Sequence, residues 1–75
     1  MIFFDSTVIR ALRKSHKLTL TELGKRLGVT ASTISAWENG DSKLSAKDLA
    51  SVANVFDVNI SLFYKQRRIK NDKSN

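Results

Sequence analysis

Residues 31–36, Ala-Ser-Thr-Ile-Ser-Ala, set three hydroxyls and two alanine methyls around a single large apolar side chain. If this run is helical, Ile34 and Trp37 fall on one side, leaving Ala31, Ser32, Thr33, Ser35 and Ala36 on the other. Short side chains let a helix backbone come close to a bulky ligand. Hydroxyls donate and accept, alanine methyls give apolar contact, and the amides that open a helix carry the positive end of its dipole. That set suits the edges of nucleic acid bases and the phosphates beside them.

Little else in the chain could do chemistry. Two glutamates, the single histidine His16 and no cysteine offer no paired acid and base, no activated nucleophile and no set of metal ligands. No glycine-rich phosphate loop is present either. The sequence therefore predicts a non-enzyme, with no cofactor, no metal and no small-molecule ligand. His16 reads as a surface residue at a helix end.

Each element that must position the 31–36 run has its own start and stop. Asp5 or Ser6 can cap a first helix over residues 6–16, with Phe4 placed to staple onto Ile9 and with Val8, Ile9 and Leu12 as its apolar stripe. Thr19-Leu-Thr-Glu22 has capping-box form, so a second helix starts at Leu20 and carries Leu20, Leu23 and Leu27 before Gly28 ends it. Thr30 caps a third helix over 31–39, closed by Asn39-Gly40. Where the second helix crosses the third at a steep angle a small residue is needed, and Gly24 supplies it. Ser45 caps a fourth helix with Leu49, Val52, Ala53 and Phe56 inward. Asp57 then stands where glycine would end a helix most easily, and Asn59 caps a short fifth helix with Ile60, Leu62, Phe63 and Tyr64.

Seventy-five residues make one small domain with little spare stability. The absence of proline and the presence of only three glycines favour helices over hairpins. No apolar run approaches the ~20 residues that span a bilayer, and Met1-Ile2-Phe3-Phe4 lacks a basic leader, so no membrane partner and a cytoplasmic, nucleoid-associated location are expected. The net charge is +6, but it is uneven: Lys65, Arg67, Arg68, Lys70 and Lys73 against Asp72 put +4 on residues 65–75 and leave +2 on residues 1–64. We therefore divide the chain into a folded domain, 1–64, and a basic tail, 65–75, expected to be disordered.

On Leu18-Thr19, Glu22-Leu23, Leu27-Gly28-Val29-Thr30, Thr33-Ile34, Trp37-Glu38-Asn39-Gly40 and Leu49, residues 9–64 resemble the lambda-repressor-like helix-turn-helix family of Cro, phage repressors and XRE-type regulators. The resemblance implies an all-α, compact five-helix domain that binds double-stranded DNA as a two-fold homodimer. Its third helix would lie in the major groove, with half-sites about 34 Å apart. It places Ala31, Ser32, Thr33, Ser35 and Ala36 against bases, and Thr19, Lys25, Ser42 and Lys43 against phosphates. It also implies a structural ion pair between Arg13 and Glu38. Two positions depart from the family: Leu20 stands where it prefers glutamine, and the base-facing positions hold no arginine, asparagine or glutamine. Recognition then leans on hydroxyls, thymine methyls and DNA shape.

The function that follows is a transcription regulator, most simply a repressor on a palindromic operator. Ile60 and Leu62 either pack against the first helix or form an outer apolar strip that a second copy buries; the Met1-Ile2-Phe3 start poses the same choice. The alternative of a different class is an antitoxin that represses its own operon and holds a toxin protein through the amino end and the tail. RNA binding has poor support, because the aromatic residues sit at core or terminal positions.

Overall fold

A computed structural model describes residues 2–66, and Met1 and residues 67–75 lie outside the description. Helix α1 (Thr7–Ser15) is preceded by Asp5, whose Oδ1 accepts from the Thr7 amide at 3.0 Å and its hydroxyl at 2.6 Å; Ser6 makes no capping bond. It is a residue shorter at each end than the 6–16 expected. Lys17 adopts a left-handed φ of 58°, which lets the Leu18 amide return to the Arg13 carbonyl at 3.0 Å.

Helix α2 (Leu20–Leu27) opens on the reciprocal capping box: the Thr19 hydroxyl accepts from the Glu22 amide at 3.0 Å, and the Glu22 carboxylate accepts from the Thr19 amide at 2.8 Å. Helix α3 (Ala31–Asn39) is capped by Thr30 and closed by Gly40, both as read. Ser45 caps helix α4 (Ala46–Phe56), which ends on Asp57 with a left-handed φ of 55°.

The fifth helix is corrected to a single 3-10 turn, Ile60–Phe63, with Asn59 as its cap. The turn stops because the chain finds better partners in an extended form. Strand β1 (Ile2–Phe4) pairs antiparallel with strand β2 (Tyr64–Gln66), with Phe4 opposite Tyr64 and Phe3 opposite Lys65. The Asp5 amide donates to the Phe63 carbonyl at 2.7 Å, and the Phe4 ring meets Tyr64 edge-on, with centroids 6.0 Å apart. A short ribbon is thus added to an otherwise helical body. It also runs through the boundary drawn at residue 64, since Lys65 lies within β2 and its Nζ reaches Asp5 Oδ2 at 3.0 Å. The rest of the 65–75 tail, from Arg67 onward, lies outside the described residues.

One core joins these elements. Ile9 from α1, Leu23 from α2, Ile34 and Trp37 from α3, Leu49, Val52, Ala53 and Phe56 from α4, and Phe63 from the 3-10 turn are all buried. Each large apolar side chain among them is worth about 1.5–3 kcal/mol of burial. The important feature for function is that α3 puts just two residues into this core.

Candidate nucleic-acid interface

Gly24 decides how α2 meets α3. A Cβ built on it would stand 2.6 Å from the Val29 carbonyl oxygen and 3.3 Å from the Thr30 carbonyl carbon, both backbone atoms. No side chain fits there without moving the turn. Gly28, with φ of 74°, has open space around it, so its requirement is conformational and not steric. The Val29 amide closes the turn by donating to the Gly24 carbonyl at 2.9 Å. Thr30 follows directly as the cap of α3.

From the other side α3 is held by an ion pair. Arg13 Nε donates to Glu38 Oε2 at 2.7 Å and Nη2 to Oε1 at 3.1 Å, while Nη1 donates to the Leu18 carbonyl at 3.0 Å. Only 12% of the arginine side chain and 6% of the glutamate side chain reach solvent. The Glu38 carboxylate raises the Arg13 pKa, opposed by the burial that lowers it, so the guanidinium stays charged. The pair inferred from the resemblance is therefore present, and it joins α1, α3 and the loop between α1 and α2.

With Ile34 and Trp37 pointing inward, the outer stripe of α3 is Ser32, Ser35, Ala36 and Asn39, and Ala31 and Thr33 flank it. Ser32 and Asn39 are exposed; Ala31, Thr33, Ser35 and Ala36 are half-buried. Two hydroxyls are already engaged. The Thr33 Oγ1 lies 3.0 Å from Thr30 Oγ1, and the Ser35 Oγ accepts from Asn39 Nδ2 at 3.5 Å.

Asn39 is the residue that sequence reasoning missed, because it was read only as part of the helix stop. Its spacing of seven from Ser32 and four from Ser35 already put it on the same stripe. It supplies the amide side chain that the 31–36 run lacks.

The positions assigned to phosphates surround this stripe in sequence. Thr19 is exposed at the start of α2, Lys25 is exposed in its last turn, and Ser42 and Lys43 are exposed in the loop between α3 and α4. Among the described residues neither Lys25 nor Lys43 forms an ion pair. Glu22 has its pKa lowered, chiefly by the Thr19 amide, which keeps the capping carboxylate charged.

Ile60 and Leu62 are 41% and 48% exposed, while Phe63 between them and β2 is fully buried. The short 3-10 turn sends Phe63 inward and leaves its neighbours outside. Ile2 is also exposed. The His16 ring is exposed and rests at the end of α1 against Phe56, with centroids 5.0 Å apart. No helix among the described residues is long and apolar enough to cross a membrane, and they include no group of three or more His, Cys, Asp or Glu placed to hold a metal ion.

The helix-turn-helix family model matches residues 9–63, which is most of the chain. An HTH-type transcriptional regulator of Bacillus subtilis, YobD, is 33% identical over 52 residues, 69% of this chain and 46% of that one. The antitoxin PezA of Streptococcus pneumoniae is 34% identical over 50 residues, 67% of this chain and 32% of that one. The match thus spans less than half the length of either relative.

Among solved structures, the P22 c2 repressor in complex with a synthetic operator superposes with a TM-score of 0.73 at 28% identity, covering 77% of this chain and 88% of that one. Hydroxypropylphosphonic acid epoxidase from S. wedmorenis superposes with a TM-score of 0.71 at 29% identity, over 77% of this chain but 31% of the epoxidase. The tight Gly24 crossing, the outward α3 and the Arg13–Glu38 brace agree with the sequence match: the chain belongs to the helix-turn-helix family, in its lambda-repressor-like form.

Proposed function

We propose that this chain binds double-stranded DNA as a homodimer and regulates transcription in the cytoplasm, most simply as a repressor on a palindromic operator. The observation that carries this reading is the two-sided character of α3. Ile34 and Trp37 anchor it, and a stripe of small and polar side chains, free of carboxylates, faces outward. In this reading Ser32, Ser35, Ala36 and Asn39 lie against base edges, with Ala31 and Thr33 at the groove wall. Thr19, Lys25, Ser42 and Lys43 hold phosphates. The likeness to a repressor solved on its operator supports the same docking.

Ile60 and Leu62 are the proposed dimer contacts, because two half-exposed aliphatic side chains on one short turn form the kind of strip a two-fold axis buries. Residues 65–75 add positive charge that strengthens binding to any sequence.

The deciding experiment is selection of duplexes from a random pool by the purified chain, followed by titration of the best duplex at several salt concentrations. An inverted repeat and a steep salt dependence are expected. Failure to retain any duplex at low ionic strength would overturn the reading.

The likeness to PezA and the exposed Ile2, Ile60 and Leu62 favour a second reading, an antitoxin that also holds a toxin protein. Recovery of a stoichiometric protein partner on purification from the native host supports it, and a homodimer alone supports the simple repressor.

A further inference from the structure

A cavity of about 330 Å³ opens where the ribbon meets the loop between α3 and α4, a volume in the range of small-molecule sites. Phe4, Leu49 and Tyr64 form its apolar walls, and Ser6, Gly40 and Lys43 also line it. Ser6 is half-buried, does not cap α1, and makes no side-chain hydrogen bond among the described residues. Its Oγ stands 3.7 Å from where a Cβ on Gly40 would be, so it faces bare backbone. Lys43 brings an ammonium group that pairs with no carboxylate among the described residues. An unpartnered hydroxyl and a cation beside apolar walls complement a compact organic anion.

We propose that this cavity binds a small carboxylate with an aromatic or branched aliphatic body, the body between Phe4, Leu49 and Tyr64 and the carboxylate at Ser6 and Lys43. Lys43 belongs to the loop assigned to phosphates, so an acid held there competes with DNA for the same ammonium. By linkage the acid and the duplex weaken each other's binding equally. This coupling rests on the DNA-binding reading, whereas uptake of the acid does not.

The test is titration of the full ¹⁵N-labelled chain, without DNA, with 3-phenylpropanoate and separately with 3-phenylpropan-1-ol. Saturable amide shifts at Ser6, Gly40, Lys43 and Tyr64 are expected, with the acid bound about tenfold more tightly than the alcohol. Lys43→Met should erase that difference and keep the alcohol's affinity. Ser6→Leu, which narrows the cavity and removes the hydroxyl, should weaken uptake of both while leaving duplex binding intact; Ser6→Ala, the milder change, should weaken only the acid.

Absence of saturable shifts, equal affinity for acid and alcohol, or the same shifts on raising protein concentration alone would overturn the proposal, the last because a second copy would then cover the cavity. Fluorescence anisotropy of a labelled duplex gives the separate arm. Displacement by the acid supports the coupling. Uptake of the acid by a chain that ignores every duplex supports the site and removes its link to DNA.

Discussion

Arg13 and Glu38 meet through two hydrogen bonds, 2.7 and 3.1 Å long, across twenty-five residues of sequence. Because the third arginine bond goes to the Leu18 carbonyl, one side chain fixes the tilt of α3 against both α1 and the loop leading to α2. Removing either partner leaves the other charge largely shielded from water. Arg13→Ala and Glu38→Ala should each lower the unfolding free energy by about 2–3 kcal/mol, measured by urea denaturation. The double variant should cost less than the two singles added together.

Gly24→Ala should cost at least as much, by a different route. The added Cβ meets the Val29 backbone oxygen at 2.6 Å, and backbone cannot rotate aside as a side chain would. About 2–3 kcal/mol of stability should be lost as the turn is pushed open. Gly28→Ala meets no atom but forces alanine to φ of 74°, for about 1 kcal/mol. Thermal unfolding of the two variants separates steric from conformational need.

These two glycines show why so much of the fold was readable from residue types. Caps and left-handed stops are local devices, so Thr19, Thr30, Ser45, Gly28 and Gly40 announced α2, α3 and α4 within a few residues of each boundary. The ribbon depends on contact between residues 2–4 and 64–66, which no local pattern reports, and the same long-range pairing turned an expected fifth helix into a 3-10 turn. On α3, the outward set followed from the inward spacing of Ile34 and Trp37. Asn39 escaped because a helix-stop reading was sufficient to explain it.

Two helices end on left-handed residues that carry a Cβ: Lys17 with φ of 58° and Asp57 with φ of 55°. Glycine at either position relieves that strain. Lys17→Gly should stabilise the domain by about 1 kcal/mol. Asp57→Gly should gain about half as much, because short polar side chains tolerate this conformation better than lysine does. Chemical denaturation at neutral pH reads both.

Asp5 connects the ribbon to α1, and its pKa is lowered from 3.8, first by the Thr7 hydroxyl and then by Lys65. A carboxylate held below its ordinary value binds fewer protons in the native state than in the unfolded chain. Its contribution is therefore complete above pH 3.8 and is lost as the pH falls through the lowered native value. Glu22 acts in the same direction from the α2 cap. Denaturation series between pH 7 and pH 2.5 should show stability falling in acid, with a shallower fall in Asp5→Asn and shallower still when Glu22→Gln is added.

If α3 docks on DNA as proposed, the exposed residues around it divide into two groups with separable effects. Ser32 and Asn39 lie on the outer stripe proposed to face bases, and Lys25 and Lys43 lie off it, exposed, and are proposed to hold phosphates. Asn39→Ala removes the stripe's one amide, a group able to pair with adenine through two hydrogen bonds worth about 1–3 kcal/mol. It should weaken the selected duplex by that amount and leave unrelated duplexes unchanged, with Ser32→Ala acting in the same sense but less strongly. Lys25→Ala and Lys43→Ala should weaken every duplex about equally. Each should also reduce the slope of log affinity against log salt by about 1 per half-site, because one fewer phosphate is neutralised and fewer counterions are released. Anisotropy titrations on matched and scrambled duplexes at four salt concentrations test both halves. If Lys43→Ala changed preference between duplexes, or Asn39→Ala lowered affinity for all of them alike, the assignment of stripe to bases and rim to phosphates would be reversed.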